Sequence, residues 1–286
     1  MQPQQVAHLL LERLGKGAAI PGLDSPAAAR LVALGDDLPE RMAQMMTAPV
    51  TFDMEDAPLL HDAYYVGAWC AVAQHLGGGA ALKVLEVASG DVAVVPWGLE
   101  LYDGGGCSYA TANLNKKLTQ NFLAKTAALR TAVRVVEDDG ANMAQYYAPG
   151  SFDVLALQHG VNDIVQTILC EREGMDTVNG DWWENLPQMI RISDEYHRSG
   201  RLEDTAKAGF LACMKACADL VRPGGYLAFN SIVYQYDLDL GYPLDLYESY
   251  IPMARRWLLQ AGMGLTETTP DGWDRRWWMV LKKAPN

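Results

Sequence analysis

Two short stretches of this 286-residue chain carry side chains that could do chemistry. In the first, Gln158-His159-Gly160-Val161-Asn162-Asp163 follows the apolar run Phe152 to Leu157 and brings an imidazole and a carboxylate to the end of that run. A histidine's unperturbed pKa lies near neutrality, so His159 is the candidate to take a proton from a hydroxyl acceptor; an amine arriving neutral needs no strong base. A structural hydrogen-bonding histidine is the plainer alternative, and both stay open. The second stretch, Lys83-Val-Leu-Glu-Val-Ala-Ser-Gly90, is an apolar run breaking into small residues, with a carboxylate inside it. A carboxylate in an apolar strand needs a partner, which turns Glu86 towards a ligand. Asp163 with Asn230 could offer oxygens to a divalent cation, but a polar reading is stronger and no metal is expected.

Composition removes several classes of function. The formal charge of −12, with no basic stretch, argues against a nucleic-acid partner, because phosphate binding needs a basic surface. Lys116-Lys117 and Arg275-Arg276 read as solvated faces. The five cysteines are odd in number and form no CxxC pair, so neither a disulfide framework nor a zinc site is suggested. Cys213 and Cys217 share a helix face by spacing and read as buried packing. The N-terminus lacks the pattern of a secretory leader, and no uncharged apolar stretch reaches the ~18 residues of a membrane span. A cytoplasmic setting with no membrane partner is the expectation.

The elements that must position these groups follow from periodicity and punctuation. Residues 1 to about 80 read as helices, with Ser25-Pro26 and Asp37-Leu38-Pro39 as starts and Gly77-Gly78-Gly79 as the stop of a long helix from about Ala57 to Leu76. Strands are expected at Lys83 to Val87, Cys107 to Ala112, Val133 to Glu137, Phe152 to Leu157 and Tyr226 to Phe229. Helices are expected from Pro96, from Asn115 to about Leu129, and from Glu203 to Leu220. About 40 residues, 161–201, separate the fourth strand from the last of these; the segment reads as helical and lid-like. A final helix from about Leu246 to Ala261 precedes two strands, Leu265 to Thr269 and Trp277 to Leu281, whose Pro270-Asp271-Gly272-Trp273 link favours an antiparallel hairpin. Trp277 and Trp278 point to opposite strand faces, so at least one packs in the core.

Strand–helix repeats closed by such a hairpin resemble the class I, Rossmann-like methyltransferases that use S-adenosylmethionine. The carriers are Glu86-Val-Ala-Ser-Gly-Asp91, Val136-Glu-Asp-Asp-Gly140, Ser151-Phe-Asp-Val-Leu155 and Leu220-Val-Arg-Pro-Gly-Gly-Tyr226, within roughly residues 60–284. The resemblance implies an α/β fold with a doubly wound, mostly parallel seven-stranded sheet and a C-terminal antiparallel hairpin. An N-terminal helical cap (1–80) would precede the Rossmann-like domain (81–286). Two departures stand out: Ala88 and Val92 occupy usual glycine positions, and Asn113 replaces the usual acid after the second strand. Alanine permits close backbone approach if its φ is negative.

By the same resemblance, Glu86, Ala88 and Gly90 would line the methionine end of the cofactor, Asn113 the ribose, and Asp139 with Gly140 the adenine, with Gln158 beside them. His159 would face the methyl group and assist an in-line displacement. Tyr64, Tyr65, Asp163, Trp182 and Tyr234 would contact a small-molecule acceptor, methylated on O or N rather than C. Asp237, Asp239, Tyr242 and Asp245 read as a polar loop that could shape its pocket. Cofactor binding without turnover is the alternative, and a homodimer is left open. A nicotinamide enzyme fits less well, because its turn would read GxGxxG where this chain has Ala-Ser-Gly-Asp-Val.

Overall fold

The computed structural model describes residues 1–285. Four helices come first: α1 (Pro3–Gly15), α2 (Ser25–Leu34), α3 (Leu38–Met45) and α4 (Ala57–Gly77). Strand and helix then alternate through β1 (Lys83–Val87), α5 (Val94–Asp103), β2 (Ser108–Ala112), α6 (Lys116–Thr126), β3 (Ala132–Val136) and β4 (Phe152–Gln158). Three helices, α7 (Gly160–Arg172), α8 (Trp182–Arg198) and α9 (Leu202–Leu220), lead to β5 (Val221–Asn230). The chain closes with α10 (Gln235–Asp239), α11 (Leu244–Gln260), β6 (Leu265–Glu267) and β7 (Trp278–Lys283).

The seven strands form one sheet in the order β3-β2-β1-β4-β5-β7-β6, with β1 to β5 parallel and β7 antiparallel to both neighbours. This is a doubly wound, Rossmann-like sheet. The chain winds outward from β1 to one edge, returns, and continues from β4 on the other side. The crevice at that reversal, above the carboxyl ends of β1 and β4, is where such sheets take ligands. Register makes the crevice level: Val87 pairs with Ala112, Ala112 with Val136, and Gln158 with Asn230. Residues that follow these pairs, among them Ala88, Asn113, His159 and Ser231, therefore emerge together at one end.

The central strands are continuously buried, with Leu85, Leu155, Leu157, Leu227 and Phe229 at 0% exposure, as a parallel sheet covered on both faces requires. β3 lies on an edge and alternates, and β6 at the other edge is three residues long, which limits unpaired edge. The N-terminal helices share this core. α4 lies so close to α5 that a Cβ on Gly98 would sit 2.6 Å from Trp69 Cβ and 2.9 Å from the Cys70 nitrogen. Among the described residues, no helix is long and apolar enough to cross a membrane.

Local chemistry shifts several expected boundaries. Asp24, not Ser25, caps α2, accepting from the Ala27 N–H at 2.8 Å. Asp37 makes no side-chain cap, because a 3₁₀ turn at Gly35–Asp37 runs straight into α3 and leaves no extended cap residue. Pro96 is the third residue of α5 rather than its start; any of the first turn's N–H groups is dispensable. Arg222 to Gly225 belong to β5 as a bulge between the Phe152–Val221 and Val154–Tyr226 pairs, where the register with β4 shifts. α6 stops at Thr126, short of Leu129. Both Trp277 and Trp278 are buried, and Trp277 precedes the strand in a turn on Asp274. Residues 161–201 are indeed helical: α7 is the direct continuation of β4, and α8 follows it.

Candidate functional site

A cavity of about 900 Å³ opens at the carboxyl ends of β1 to β5. Its floor at one end is the turn after β1. Ala88 adopts φ 60° and Gly90 φ 58°, both left-handed. The condition of a negative φ at Ala88 is thus not met: a left-handed alanine costs roughly 1–2 kcal/mol, a strain that persists only where surrounding bonds impose it. Those bonds are present. Ala88 N–H donates to the Ala112 carbonyl (3.0 Å), Gly90 N–H to Asn113 Oδ1 (3.1 Å), and Asn113 Nδ2 to the Gly90 carbonyl (2.7 Å). A carboxylate at 113 could accept from the loop but not donate to it, so the amide is what clasps Gly90 from both sides. Val92, at 40% exposure, stands at the rim.

Next to this clasp lies the turn after β3. Asp139 caps it by accepting from the Ala141 N–H (2.8 Å), while Asp138 accepts from Asn142 (2.8 Å) and the Tyr146 hydroxyl (2.8 Å). Gly140 is packed so tightly that a Cβ would meet Val87 Cγ1 at 2.8 Å. Leu118, Trp182, Trp183 and Leu186 roof this part of the cavity. The roof is anchored through Asn115, which caps α6 and also donates to the carbonyls of Thr177 (3.1 Å) and Gly180 (3.0 Å).

The far end is polar and aromatic. The Tyr234 hydroxyl meets Tyr65 Oη (3.0 Å), His159 Nε2 (3.0 Å) and His61 Nε2 (3.1 Å), while His159 Nδ1 meets the Tyr247 hydroxyl (3.1 Å). His159 itself has φ 57°, so the second strained non-glycine residue also faces this crevice. Burial, reinforced by the charge His61 can carry, lowers the His159 pKa to about 3. The imidazole is therefore neutral at working pH, donating from one nitrogen and accepting at the other. Burial also raises Tyr65, Tyr234 and Tyr247 well above the ordinary phenol, so all three hydroxyls keep their protons. Asp163 is raised to about 8 by burial and then by Asp237, and Asp237 to about 6 by burial. A chain of bonds, Ser231 Oγ to Asn162 Oδ1 (3.0 Å) and Asn162 Nδ2 to Asp163 Oδ1 (2.8 Å), orients the Asp163 carboxyl.

Of the residues singled out from sequence, Ala88, Gly90, Asn113, Asp139, Gly140, Gln158, His159, Tyr65, Asp163, Trp182 and Tyr234 all line this one cavity. Glu86 and Tyr64 do not. Glu86 points into the sheet, fully buried, with Oε2 accepting from the Tyr109 hydroxyl and Oε1 unpartnered; burial raises its pKa to about 8. Its need for a partner is met by protonation and a neighbouring strand instead of a ligand. Tyr64 is turned away and donates to the Met1 carbonyl (3.3 Å). Within the loop after β5, Asp237 and Tyr242 reach the cavity, whereas Asp239 is engaged with Gln235 (2.8 Å) and Asp245 with His197 (3.0 Å). Sequence reasoning missed His61 and Tyr247. His61 was within reach, since it lies four residues before Tyr65 on one helix face. Nothing local marks Tyr247.

No protein-family model matches the chain, and no curated protein matches its sequence. Among solved structures it is similar to an O-methyltransferase family protein from Burkholderia thailandensis (14% identity, 91% of this chain and 72% of that one, TM-score 0.44). It is similar too to the trans-methyltransferase CalH in complex with SAH (13%, 99% and 89%, TM-score 0.44) and to the CurJ carbon methyltransferase (13%, 99% and 68%, TM-score 0.46).

Proposed function

We propose that this protein binds S-adenosyl-L-methionine across the ends of β1 to β3 and transfers its methyl group to a small-molecule acceptor held at the His159 end. The observation that carries the reading is the continuity of the cavity from the Asn113–Asp139 end to the buried tyrosine–histidine end. At about 900 Å³ it sits near the top of the ~300–1,000 Å³ range of ligand pockets, which suits two ligands side by side.

The donor set fits the cofactor. Asn113 Oδ1 keeps a lone pair for a ribose hydroxyl, Asp139 and the Gly140 backbone suit an adenine edge, and Val87, Leu118 and Ala141 offer apolar faces to the ring. The strained Ala88–Gly90 backbone serves the methionine end. Gln158, whose Oε1 accepts from the Trp69 indole (2.8 Å), retains its amide N–H groups as donors. Among the described lining residues there is no Lys or Arg, while Asp91, Asp138 and Asp139 are present. That balance tolerates a sulfonium and opposes the pyrophosphate of a nicotinamide cofactor.

When bound, the cofactor supplies an already electrophilic methyl group, so the chain need provide no covalent nucleophile. Its own residues orient the acceptor, exclude water and manage one proton. His159, with a pKa near 3, is a weak base and serves chiefly to hold Tyr234 and Tyr247 in place. Asp237, raised to about 6 and ionised at neutral pH, is better matched to removing a proton from an O or N acceptor, while Asp163, raised to about 8, keeps its own proton until a cation arrives beside it.

The test is calorimetric titration with S-adenosylhomocysteine, with NAD as control. Micromolar binding that weakens in Asp139→Ala is expected. Absence of binding refutes the reading, and binding without methylation of any acceptor would leave the cofactor site but remove the transferase.

A further inference from the structure

The acceptor end of the cavity has a chemical bias that methyl transfer alone does not require. It holds two carboxyl groups, Asp163 on α7 and Asp237 on α10, and no lysine or arginine among the described lining residues. Tyr65, Tyr234, Tyr242 and Tyr247 wall it, with His61 and His159 between them. Asp163 Oδ1 accepts from Asn162, and no protein donor among the described residues reaches its other oxygen. One helical turn further along α7, Gln166 is 1% exposed and lines the same cavity, yet its Nε2 has no acceptor. A buried amide donor without a partner costs roughly 1–3 kcal/mol, so a ligand atom that accepts from it recovers that cost.

We infer that the acceptor is a small organic amine that enters as its ammonium ion, its charge placed between Asp163 and Asp237 against tyrosine faces, with an uncharged hydrogen-bond acceptor reaching Gln166. Calling it the acceptor rests on the proposed methyl transfer; the binding preference does not. Tyrosine rings attract a cation through their faces, and a carboxylate attracts it far more strongly at low dielectric than in water. An anionic ligand would meet two carboxyl groups and no lysine or arginine among the described lining residues. A neutral alcohol would leave the carboxyl pair unsatisfied.

The proton inventory gives a signature independent of catalysis. At neutral pH Asp163, facing Asp237, holds a proton. His159 and the tyrosines around it are neutral and do not titrate near pH 7. An arriving ammonium therefore displaces up to one proton, which passes to buffer; before its nitrogen can take a methyl group, the bound ammonium must in turn give one proton to the Asp163 or Asp237 carboxylate, which frees the lone pair.

The experiment compares three probes of matched shape, 2-phenylethylamine, 2-phenylethanol and 3-phenylpropionate, by calorimetry at pH 7 in two buffers of different ionisation heat. The amine is expected to bind at least about tenfold tighter than the alcohol, with net proton release, and the carboxylate weakest of the three. Asp163→Asn, isosteric and uncharged, should abolish the proton release and weaken the amine preference, and adding Asp237→Asn, which removes the remaining carboxylate, should erase that preference. S-adenosylhomocysteine affinity in the same preparation reports on the cofactor site and on folding of the variant. Equal or tighter binding of the alcohol or carboxylate, or binding of none of the three, overturns the amine assignment. Failure of S-adenosylhomocysteine alone overturns the proposed function and leaves the amine preference standing.

Discussion

Replacing Glu86 by glutamine should make this protein more stable, by an amount that grows with pH. Its carboxyl is raised from an ordinary 4.5 to about 8, chiefly by burial, with the hydrogen bond from Tyr109 opposing. A folded-state pKa above the unfolded one means that the fold holds a proton the unfolded chain has released. Below the unfolded value Glu86 costs nothing by this route. As pH rises towards the folded value, stability is lost at about 1.4 kcal/mol per pH unit, which integrates to about 3 kcal/mol by pH 7 and at most about 5 kcal/mol above the folded pKa. The substituted amide would keep the shape and the donor of the protonated acid without the titration. Urea melts of wild type and Glu86→Gln at several pH values from about 5 to 8 should therefore diverge by about 1 kcal/mol or more per unit. Asp163 and Asp237 titrate in both proteins and cancel in the difference. A difference that stays constant with pH, or a variant less stable at pH 8, would refute the neutral-acid reading and mean that Glu86 is ionised and partnered.

Other substitutions probe the site and its supports. Asn113→Ala removes both bonds to Gly90 and should weaken S-adenosylhomocysteine binding by about tenfold; Asn113→Asp should recover only part, since it cannot donate to the Gly90 carbonyl. Titration followed by NMR should show the His159 imidazole still neutral at about pH 5, because its pKa is lowered to about 3; the stability linked to it is present above its ordinary value of 6.5 and is lost as pH falls towards 3. Gly98→Ala should cost about 1–3 kcal/mol in denaturant melts by driving α4 off α5.

Much of the frame was legible because it is written locally. The runs Lys83–Val87 and Phe152–Gln158 are apolar enough to demand burial, Gly78 and Gly104 end helices in left-handed caps, and Asn115 caps α6. Those signals need only neighbours in the chain, and their order prescribes a doubly wound sheet whose carboxyl ends carry Ala88, Asn113, Asp139 and His159. Tertiary structure decided what each side chain meets there. Tyr109, on the neighbouring strand, turned Glu86 from a ligand candidate into a buried neutral acid. The Ala112 carbonyl and the Asn113 clasp imposed a left-handed Ala88, against the preference of its own backbone. Tyr234 came to lie between His61, 173 positions earlier, and His159, 75 positions earlier, a meeting that no periodicity encodes. Burial then moved His159 and Asp163 in opposite directions from their ordinary pKa values, so that at neutral pH the imidazole is uncharged and the Asp163 carboxyl is protonated. Desolvation depends on the whole fold around a group, so the sequence names the titratable residues at this crevice and only their packing says which of them holds a proton.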